Sequence, residues 1–165
     1  LGAVYKMVAI ENATGQMEDT IKISSNVNKV STPGKKQVWR ITRKDSGKSE
    51  GDYVALYNEK PQQRKSLLMF HPQYTYINKQ VTNFNARPLL TEIFKDGELV
   101  YDQPSLQEIK QYAEQHLESL WEEYKRLLNP QDYPVDLSKK CYDNKMKIIQ
   151  TIRETNNQKP LPNDI

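Results

Sequence analysis

Short apolar runs separated by turn residues follow one another along the first hundred residues of the chain. Thr20–Ser24 and Gln37–Arg43 alternate apolar and polar side chains, which is the period of a strand with one buried face. Ala3–Ile10 is largely apolar on both faces, as in a strand buried on both sides. Further extended segments are indicated at Asp52–Tyr57, Ser66–His71, Leu89–Phe94 and Leu99–Tyr101. The pattern predicts a sheet of short strands.

Turn-forming residues stand between these runs. Pro33 fixes φ, and Gly34 after it is free to adopt the positive φ that a type II turn requires. The Ser-, Gly- and charge-rich stretch 44–51 predicts a hairpin with a mobile tip. Asp96-Gly97, between apolar runs, is a strong hairpin signal. We therefore expect most neighbouring strands to pair antiparallel.

From Pro104 onward the apolar period changes from two residues to three and four. Ser105 and Glu108 have the spacing of a capping box, and the pattern predicts an amphipathic helix of about six turns that ends before Asn129-Pro130. Asp136 or Ser138 is suited to cap a second helix. The apolar face of the first helix consists of Leu106, Ile109, Ala113, Leu117, Leu120, Tyr124 and Leu127. The apolar face of the second helix consists of Leu137, Cys141, Ile148 or Ile149, and Ile152.

These elements predict an α+β fold, in which an antiparallel sheet of short strands and hairpins packs with two C-terminal helices. We expect residues 1–103 to be mainly β, residues 104–155 mainly helical and residues 156–165 a frayed tail. The length of 165 residues is suited to a single domain, 1–165. The chain enters an apolar strand at once, without an initiator Met, which indicates part of something longer.

Charge is distributed unevenly along the chain, although the net charge is only +3. Residues 1–90 hold 14 Lys and Arg against 7 Asp and Glu, and residues 91–165 hold 10 against 14. A basic half suits phosphate groups, nucleic acid or an acidic partner surface, whereas an acidic, Glu-rich half is commonly the solvated side of helices. Charge alone does not choose among these partners.

Cysteine usage and hydropathy limit the setting of the protein. The single cysteine, Cys141, excludes an internal disulfide framework and favours a reducing, cytoplasmic setting. No stretch approaches the ~18 uncharged apolar residues of a membrane-spanning helix. We therefore expect a soluble protein with no membrane partner.

The basic, aromatic stretch 35–44 suggests a nucleic-acid interface. Lys35, Lys36, Arg40 and Arg43 surround Trp39, and single-stranded nucleic acids bind to such combinations of cations and stacking rings. On an alternating strand, however, Trp39 shares a face with Ile41 and is favoured as a core residue. Two interpretations stay open here, a nucleic-acid-binding module and a strand that merely carries solvated cations.

The chain shows no catalytic constellation. Two isolated histidines and one cysteine cannot form a Cys/His zinc cluster, and neither His71 nor His116 has triad partners at suitable spacing. Phosphate-cradling loops and nucleophile elbows are also missing from the sequence. Cys141 is expected in the core, and the Glu pairs of the first helix on its solvated side. We find no catalytic residue and no metal site.

Three motifs occur in order: Leu1-Gly2-x-Val4-Tyr5-Lys6-x-Val8-Ala9, Ile21-Lys22-Ile23-Ser24, and Lys29-x-x-x-Pro33-Gly34-x-Lys36-x-x-x-Arg40. They resemble the C-terminal region of nicotinate phosphoribosyltransferases. The resemblance continues through Asp52-Tyr53-Val54, Arg87-Pro88-Leu89-Leu90, the Phe94–Leu99 hairpin, the helix from Ser105 and the Asn129–Ser138 crossing. It covers nearly the whole chain.

This resemblance implies a function. Enzymes of that family join nicotinate to phosphoribosyl pyrophosphate, giving nicotinate mononucleotide and pyrophosphate in NAD salvage, usually coupled to ATP hydrolysis. Catalysis at the anomeric carbon depends on placing nicotinate and holding Mg²⁺ and phosphates in a prepared field. The family's glycine-rich phosphate loops and its phosphorylated histidine precede the region matched here. The resemblance thus implies Mg²⁺ and ATP for the full enzyme, no cofactor in this part, and inactivity of this part alone.

The resemblance also suggests supporting roles for individual residues. The motif positions Lys22, Lys29, Pro33, Gly34, Lys36 and Arg40 are expected to act in support or near phosphates. Lys29, Lys36 and Arg40 are expected against acidic loops of the family's barrel, in preference to the substrate phosphates. The expected partners are that barrel, a second copy in a homodimer, nicotinate and phosphoribosyl pyrophosphate. A purely structural or regulatory partner domain is the third possibility.

Overall fold

The structure is a computed structural model that describes residues 4–26, 29–74 and 76–156. Its strands are β1 (Ala9–Glu11), β2 (Met17–Asp19), β3 (Lys36–Arg43), β4 (Ser49–Leu56), β5 (Ser66–Phe70), β6 (Asn78–Thr82), β7 (Phe84–Pro88), β8 (Phe94–Lys95), β9 (Glu98–Leu99) and β10 (Val135–Leu137). Its helices are α1 (Leu106–Ser119), α2 (Glu122–Lys125) and α3 (Lys139–Asn156), with a 3₁₀ turn at Pro61–Gln63. The expected α+β class is confirmed.

Six strands form the main sheet in the order β6-β5-β10-β4-β3-β7. The predicted hairpin of β3 and β4 is confirmed, with Trp39 opposite Tyr53 in antiparallel register. The expected antiparallel pairing holds for most neighbouring strands, but the sheet is mixed, because β10 pairs parallel to β4 and antiparallel to β5. The chain reaches β10 only after crossing α1 and α2, and this long connection allows a strand to enter the centre of the sheet in parallel.

The sheet is curled, because its two edge strands are joined by one residue. β6 ends at Thr82 and β7 begins at Phe84, and Asn83 between them has a left-handed φ of 52°. Strands at opposite edges can follow each other so closely only if the sheet bends back on itself. The core fills the concave side with Trp39, Ile41, Tyr53, Ala55, Leu67, Met69, Val81 and Phe84.

Helix α3 covers the outer side of the sheet and confirms the second predicted helix. Ser138 is its cap rather than Asp136, since the Ser138 Oγ accepts the N–H of Cys141 at 3.0 Å. The rings of Phe70 on β5 and Tyr142 on α3 stack at 6.2 Å between centroids. Cys141 is fully buried, as predicted.

Helix α1 begins as predicted but is shorter than the six turns expected. Ser105 and Glu108 form the predicted capping box, in which each side chain accepts the other's backbone N–H. The helix ends at Ser119, because Leu120 and Trp121 adopt extended backbone angles before the single turn of α2. No residue of α1 is buried, so its apolar face is not covered by the described part of the chain.

Three predicted strands differ from the structure. Ala3–Ile10 was expected to be buried on both faces, yet only its end enters β1, which pairs with β2 alone, and Val4 is 88% exposed. Thr20–Ser24 is not a strand, because no strand among the described residues pairs with it. Leu89–Phe94 forms strand only at Phe94, although the predicted Asp96-Gly97 hairpin is present as β8 and β9. The tail predicted to fray lies outside the described residues from 157 onward.

Candidate functional site

The Pro33–Gly34 turn is a junction between the first thirty residues and the sheet. Gly34 has a φ of +89°, so the predicted positive φ is confirmed. Its N–H donates to the Val8 carbonyl at 2.8 Å, and a Cβ at this position would lie 2.9 Å from Asp19 Oδ2. Asn144 of α3 donates to that same Asp19 oxygen at 2.7 Å. Only glycine fits this junction, where three segments of the chain meet.

Lys36 follows the turn and bonds back to it. Its Nζ donates to the carbonyls of Thr32 and Gly34 at 2.6 and 2.5 Å. The side chain is partly buried, and this burial lowers the pKa of the Lys36 ammonium. The ammonium group of Lys36 thus closes the turn.

Lys22 and Lys29 lie beside the same turn but present their side chains to solvent. The main chain of Lys22 is fixed, because its N–H donates to Ser31 Oγ at 2.8 Å and its carbonyl accepts the Ser31 N–H at 3.1 Å. The Lys29 carbonyl accepts from Lys6 Nζ at 3.2 Å. Within the described residues, neither the Lys22 nor the Lys29 ammonium forms an ion pair. Both ammonium groups are thus exposed and unpaired within the described part of the chain.

Arg40 belongs to a separate network further along β3. Its Nε and Nη2 donate to the two carboxylate oxygens of Asp52 at 2.9 and 3.1 Å, and its guanidinium lies 5.6 Å from the centre of the Tyr133 ring. Tyr133 Oη donates to Asp52 Oδ1 at 3.1 Å and bonds to Ser49 Oγ at 2.5 Å. Burial raises the pKa of Tyr133 to about 12, so the phenol keeps its proton. Arg40 is engaged internally.

A cavity of about 320 Å³ lies over this network, between α1, α2 and β3. Sequence reasoning missed it, because distant segments of the chain form its wall. His116 at its rim has a pKa lowered by burial and by the charge of Arg87, whose Nη2 lies 3.3 Å from His116 Nε2. Its lining residues are Arg40, His116, Leu117, Leu120, Tyr124 and Tyr133, together with Ala113 and Gln131.

The stretch 35–44 does not form a stacking surface for nucleic acid. Trp39 is 7% exposed and packs in the core, as its position beside Ile41 predicts. Arg43 is paired with Asp45 at 2.7 Å and lies 3.6 Å from Glu50. The cations of this stretch are therefore largely committed within the chain, and the nucleic-acid alternative is not supported.

His71 and Cys141, the remaining side chains with possible catalytic chemistry, make contacts that belong to the fold. His71 Nδ1 accepts the backbone N–H groups of Gln73 and Tyr74 at 3.2 and 3.0 Å. Burial raises the pKa of the Cys141 thiol to about 11, which keeps it protonated and unreactive. No three His, Cys, Asp or Glu side chains converge in residues 4–26, 29–74 and 76–156 as metal ligands would. No helix in the described part of the chain has the length and apolarity to cross a bilayer.

The described part of the chain matches a known protein family. A family model described as "Nicotinate phosphoribosyltransferase C-terminal domain" matches residues 35–145. The chain belongs to this family. The matched range begins just after the Pro33–Gly34 turn and includes all six strands of the main sheet, α1, α2 and the start of α3.

Relatives of this family match nearly all of the chain but only part of their own length. The nicotinate phosphoribosyltransferase of Bacillus subtilis (strain 168) is 54% identical over 153 residues, which is 93% of this chain and 31% of that protein. The enzyme of that name from Caenorhabditis elegans is 34% identical, over 86% of this chain and 25% of that protein. The crystal structure of human nicotinic acid phosphoribosyltransferase superposes with a TM-score of 0.61 at 26% identity, over 78% of this chain and 24% of that one. The chain thus spans a quarter to a third of these proteins.

Proposed function

We propose that this chain is the supporting C-terminal domain of an enzyme that joins nicotinate to phosphoribosyl pyrophosphate, yielding nicotinate mononucleotide and pyrophosphate. The names of the relatives and the family match support this activity for the enzyme as a whole. ATP hydrolysis coupled to the reaction, a cytoplasmic setting and a homodimer complete the proposal. In this division of labour the chain supplies scaffold, and the remaining two thirds to three quarters of the enzyme supply reactivity.

The observation that carries this proposal is the uncovered apolar face of α1. The helix has the apolar periodicity of one that packs against a neighbour, yet every residue of it retains solvent exposure. Leu106 at its start is 82% exposed, and Leu127 beyond α2 is 97% exposed. Large apolar patches on soluble proteins mark interaction surfaces. The partner we propose is the catalytic part of the same enzyme, since the relatives are three to four times longer than the matched region.

The segment before β1 adds a second uncovered surface. Val4, Tyr5 and Met7 are exposed although their sequence is typical of a buried strand. A strand of this kind gains its hydrogen bonds and burial from a neighbour, and β2 pairs only with Ala9–Glu11. We assign this segment to the same interface with the catalytic part.

Polar residues near the junction define how the interface is oriented. Lys22 and Lys29 carry exposed ammonium groups without described ion partners, which suits acidic loops or bound phosphates on the facing part. Pro33, Gly34, Lys36 and Arg40 act from within, because each is held by contacts inside this domain.

A substitution in the full-length enzyme tests the proposed interface. Leu106→Glu and Leu127→Glu each place a charge on the uncovered apolar surface, and we expect both to lower the thermal midpoint and the yield of active enzyme. Gln111→Glu adds the same charge on a different face of α1 and serves as the matched control. Equal behaviour of all three variants would contradict the interface.

An assay of nicotinate mononucleotide formation tests the division of labour. The full-length enzyme is expected to turn over, whereas the 165-residue chain alone is expected to be inactive at any substrate concentration. Circular dichroism shows whether the isolated chain is folded in that assay. Turnover by the chain alone would overturn the proposed supporting role.

A further inference from the structure

A second and larger cavity lies beside the first, and Tyr133 lines both. It has a volume of about 480 Å³ and opens between the loop after β5 and the segment that enters β10. A volume of this size is sufficient for a small ligand or for one long side chain. Its lining combines apolar side chains of Pro72, Ile77 and Pro134 with polar side chains of His71, Lys79 and Asp136.

Asp136 is the unusual residue of this cavity. It is the middle residue of β10 and only 7% exposed, and within the described residues its carboxylate forms no hydrogen bond or ion pair. Glu59, the other buried carboxylate, shows the normal situation. It accepts the Leu56 N–H at 3.0 Å, the Ser138 hydroxyl and the Arg64 guanidinium at 3.2 Å. Because Asp136 lines the cavity and its carboxylate has no such partner among the described residues, a donor that enters the cavity is able to pair with its oxygens.

The neighbouring cations do not neutralise the Asp136 carboxylate directly. Lys79 Nζ donates to the backbone carbonyl and to Oε2 of Glu50, which makes Lys79 part of a separate ion pair. His71 Nδ1 accepts the backbone N–H groups of Gln73 and Tyr74. Asp132 adds a second carboxylate to the cavity wall. The wall thus carries two carboxylates and one ammonium group, and that ammonium group is paired with Glu50.

We propose that this cavity binds a cationic N–H donor, a guanidinium or ammonium group, against the carboxylate of Asp136. The apolar side chains at the wall are suited to the methylene part of such a ligand. The same chemistry has two possible sources, an Arg or Lys side chain from the rest of the enzyme and a free small cation. This site goes beyond the proposed function, and its test does not use catalysis.

Burial is consistent with this assignment. It raises the pKa of Asp136, and the charges of Lys79 and His71 oppose the rise. A bound cation acts in the same direction as Lys79 and holds the carboxylate in its ionised form.

Two measurements on the full-length enzyme test the site. A crystal structure of the wild-type enzyme shows whether an Arg or Lys side chain occupies the cavity within hydrogen-bond distance of Asp136, which would establish the first source. If it does not, calorimetric titration with methylguanidinium is expected to show binding that falls by about tenfold or more in Asp136→Asn. Asp143→Asn is the matched control, because Asp143 is an exposed carboxylate of α3 outside the cavity.

Each outcome of these two measurements either supports or overturns the proposed site. Occupation by an internal cation, or methylguanidinium binding that depends on Asp136 and not on Asp143, supports the site. A cavity that holds only water in the crystal and shows no methylguanidinium binding to the wild-type enzyme overturns it. The wild-type measurements decide even if Asp136→Asn fails to fold, and neither depends on the reaction that the enzyme catalyses.

Discussion

Arg40 and Asp52 lie directly opposite each other on β3 and β4 and form a two-pronged ion pair. Their side chains are only 20% and 13% exposed. Tyr133 covers the pair, donates to Asp52 and holds the segment before β10 against the sheet. The charge of Arg40, which the sequence motif suggested for an external partner, is thus neutralised inside the domain.

Removing the charge of Asp52 is expected to destabilise the fold. In Asp52→Asn the partly buried guanidinium of Arg40 keeps its charge but loses its counterion, and we expect the free energy of unfolding to fall by about 1–3 kcal/mol. Urea titration followed by tryptophan fluorescence measures the change. Asp45→Asn, which breaks the exposed pair with Arg43, is expected to leave the urea midpoint unchanged. Similar losses in both variants would contradict an enclosed pair.

Gly34 is expected to tolerate no side chain. Gly34→Ala imposes a left-handed φ on alanine and places its Cβ 2.9 Å from Asp19 Oδ2 and 3.1 Å from Leu56 Cδ2. Gly47→Ala imposes a similar φ of +69° with no atom within 4 Å, so it isolates the backbone cost. We expect both to lower stability, Gly34→Ala by about 1 kcal/mol more than Gly47→Ala. Thermal unfolding of the two variants measures the difference. Equal midpoints would show that Asp19 and Leu56 move aside for the added Cβ, which would contradict this prediction.

Local signals predicted a large part of the fold. The alternation of Gln37–Arg43, the Asp96-Gly97 turn and the Ser105–Glu108 capping box each depend on residues close together in the chain, and all three are present. Trp39 and Ile41 point into the core because strand periodicity fixes which side chains share a face. These features follow from backbone chemistry that needs no distant partner.

Long-range pairing decided what the sequence did not predict. Residues 78–82 are mostly polar, and β6 forms because they pair with β5 at the edge of the sheet. β10 has only three residues, too few to show periodicity, and becomes a central strand by entering between β4 and β5. The Arg40–Asp52–Tyr133 network also depends on contacts between residues distant in sequence, since Tyr133 and Asp52 are 81 residues apart. The Asp136 carboxylate likewise reaches its cavity only because β10 enters the sheet between β4 and β5.

Ser138 is expected to matter more than the other helix cap. Its hydroxyl accepts the Cys141 N–H and donates to the buried carboxylate of Glu59, so Ser138→Ala removes a cap and a carboxylate partner together. We expect a loss of about 2–3 kcal/mol in the free energy of unfolding. Ser105→Ala removes only the exposed cap of α1, and we expect about 1 kcal/mol or less. Denaturant titrations of both variants provide the comparison, and an equal or larger loss for Ser105→Ala would refute this ranking.

The thiol of Cys141 makes stability depend on alkaline pH. Burial raises its pKa from 9.0 to about 11, so the folded state holds this proton more tightly than the unfolded state does. The thiol's contribution to stability is therefore complete below pH 9 and is lost as the pH rises from 9 through about 11. Burial also raises the pKa of Tyr53 and Tyr133 from 10.0 to about 12, which adds a further loss above pH 10.

Comparison of the wild type with Cys141→Ala separates the thiol from the two tyrosines. The variant is less stable at pH 8, because a fully buried side chain is truncated, but its free energy of unfolding is expected to fall less steeply between pH 9 and 10. Urea titrations at these pH values measure both slopes. Cys141 is the only cysteine of the chain, so alkylation at pH 8 gives an independent reading. Rapid alkylation of the folded chain, together with parallel pH slopes, would show that the thiol is accessible and its pKa ordinary.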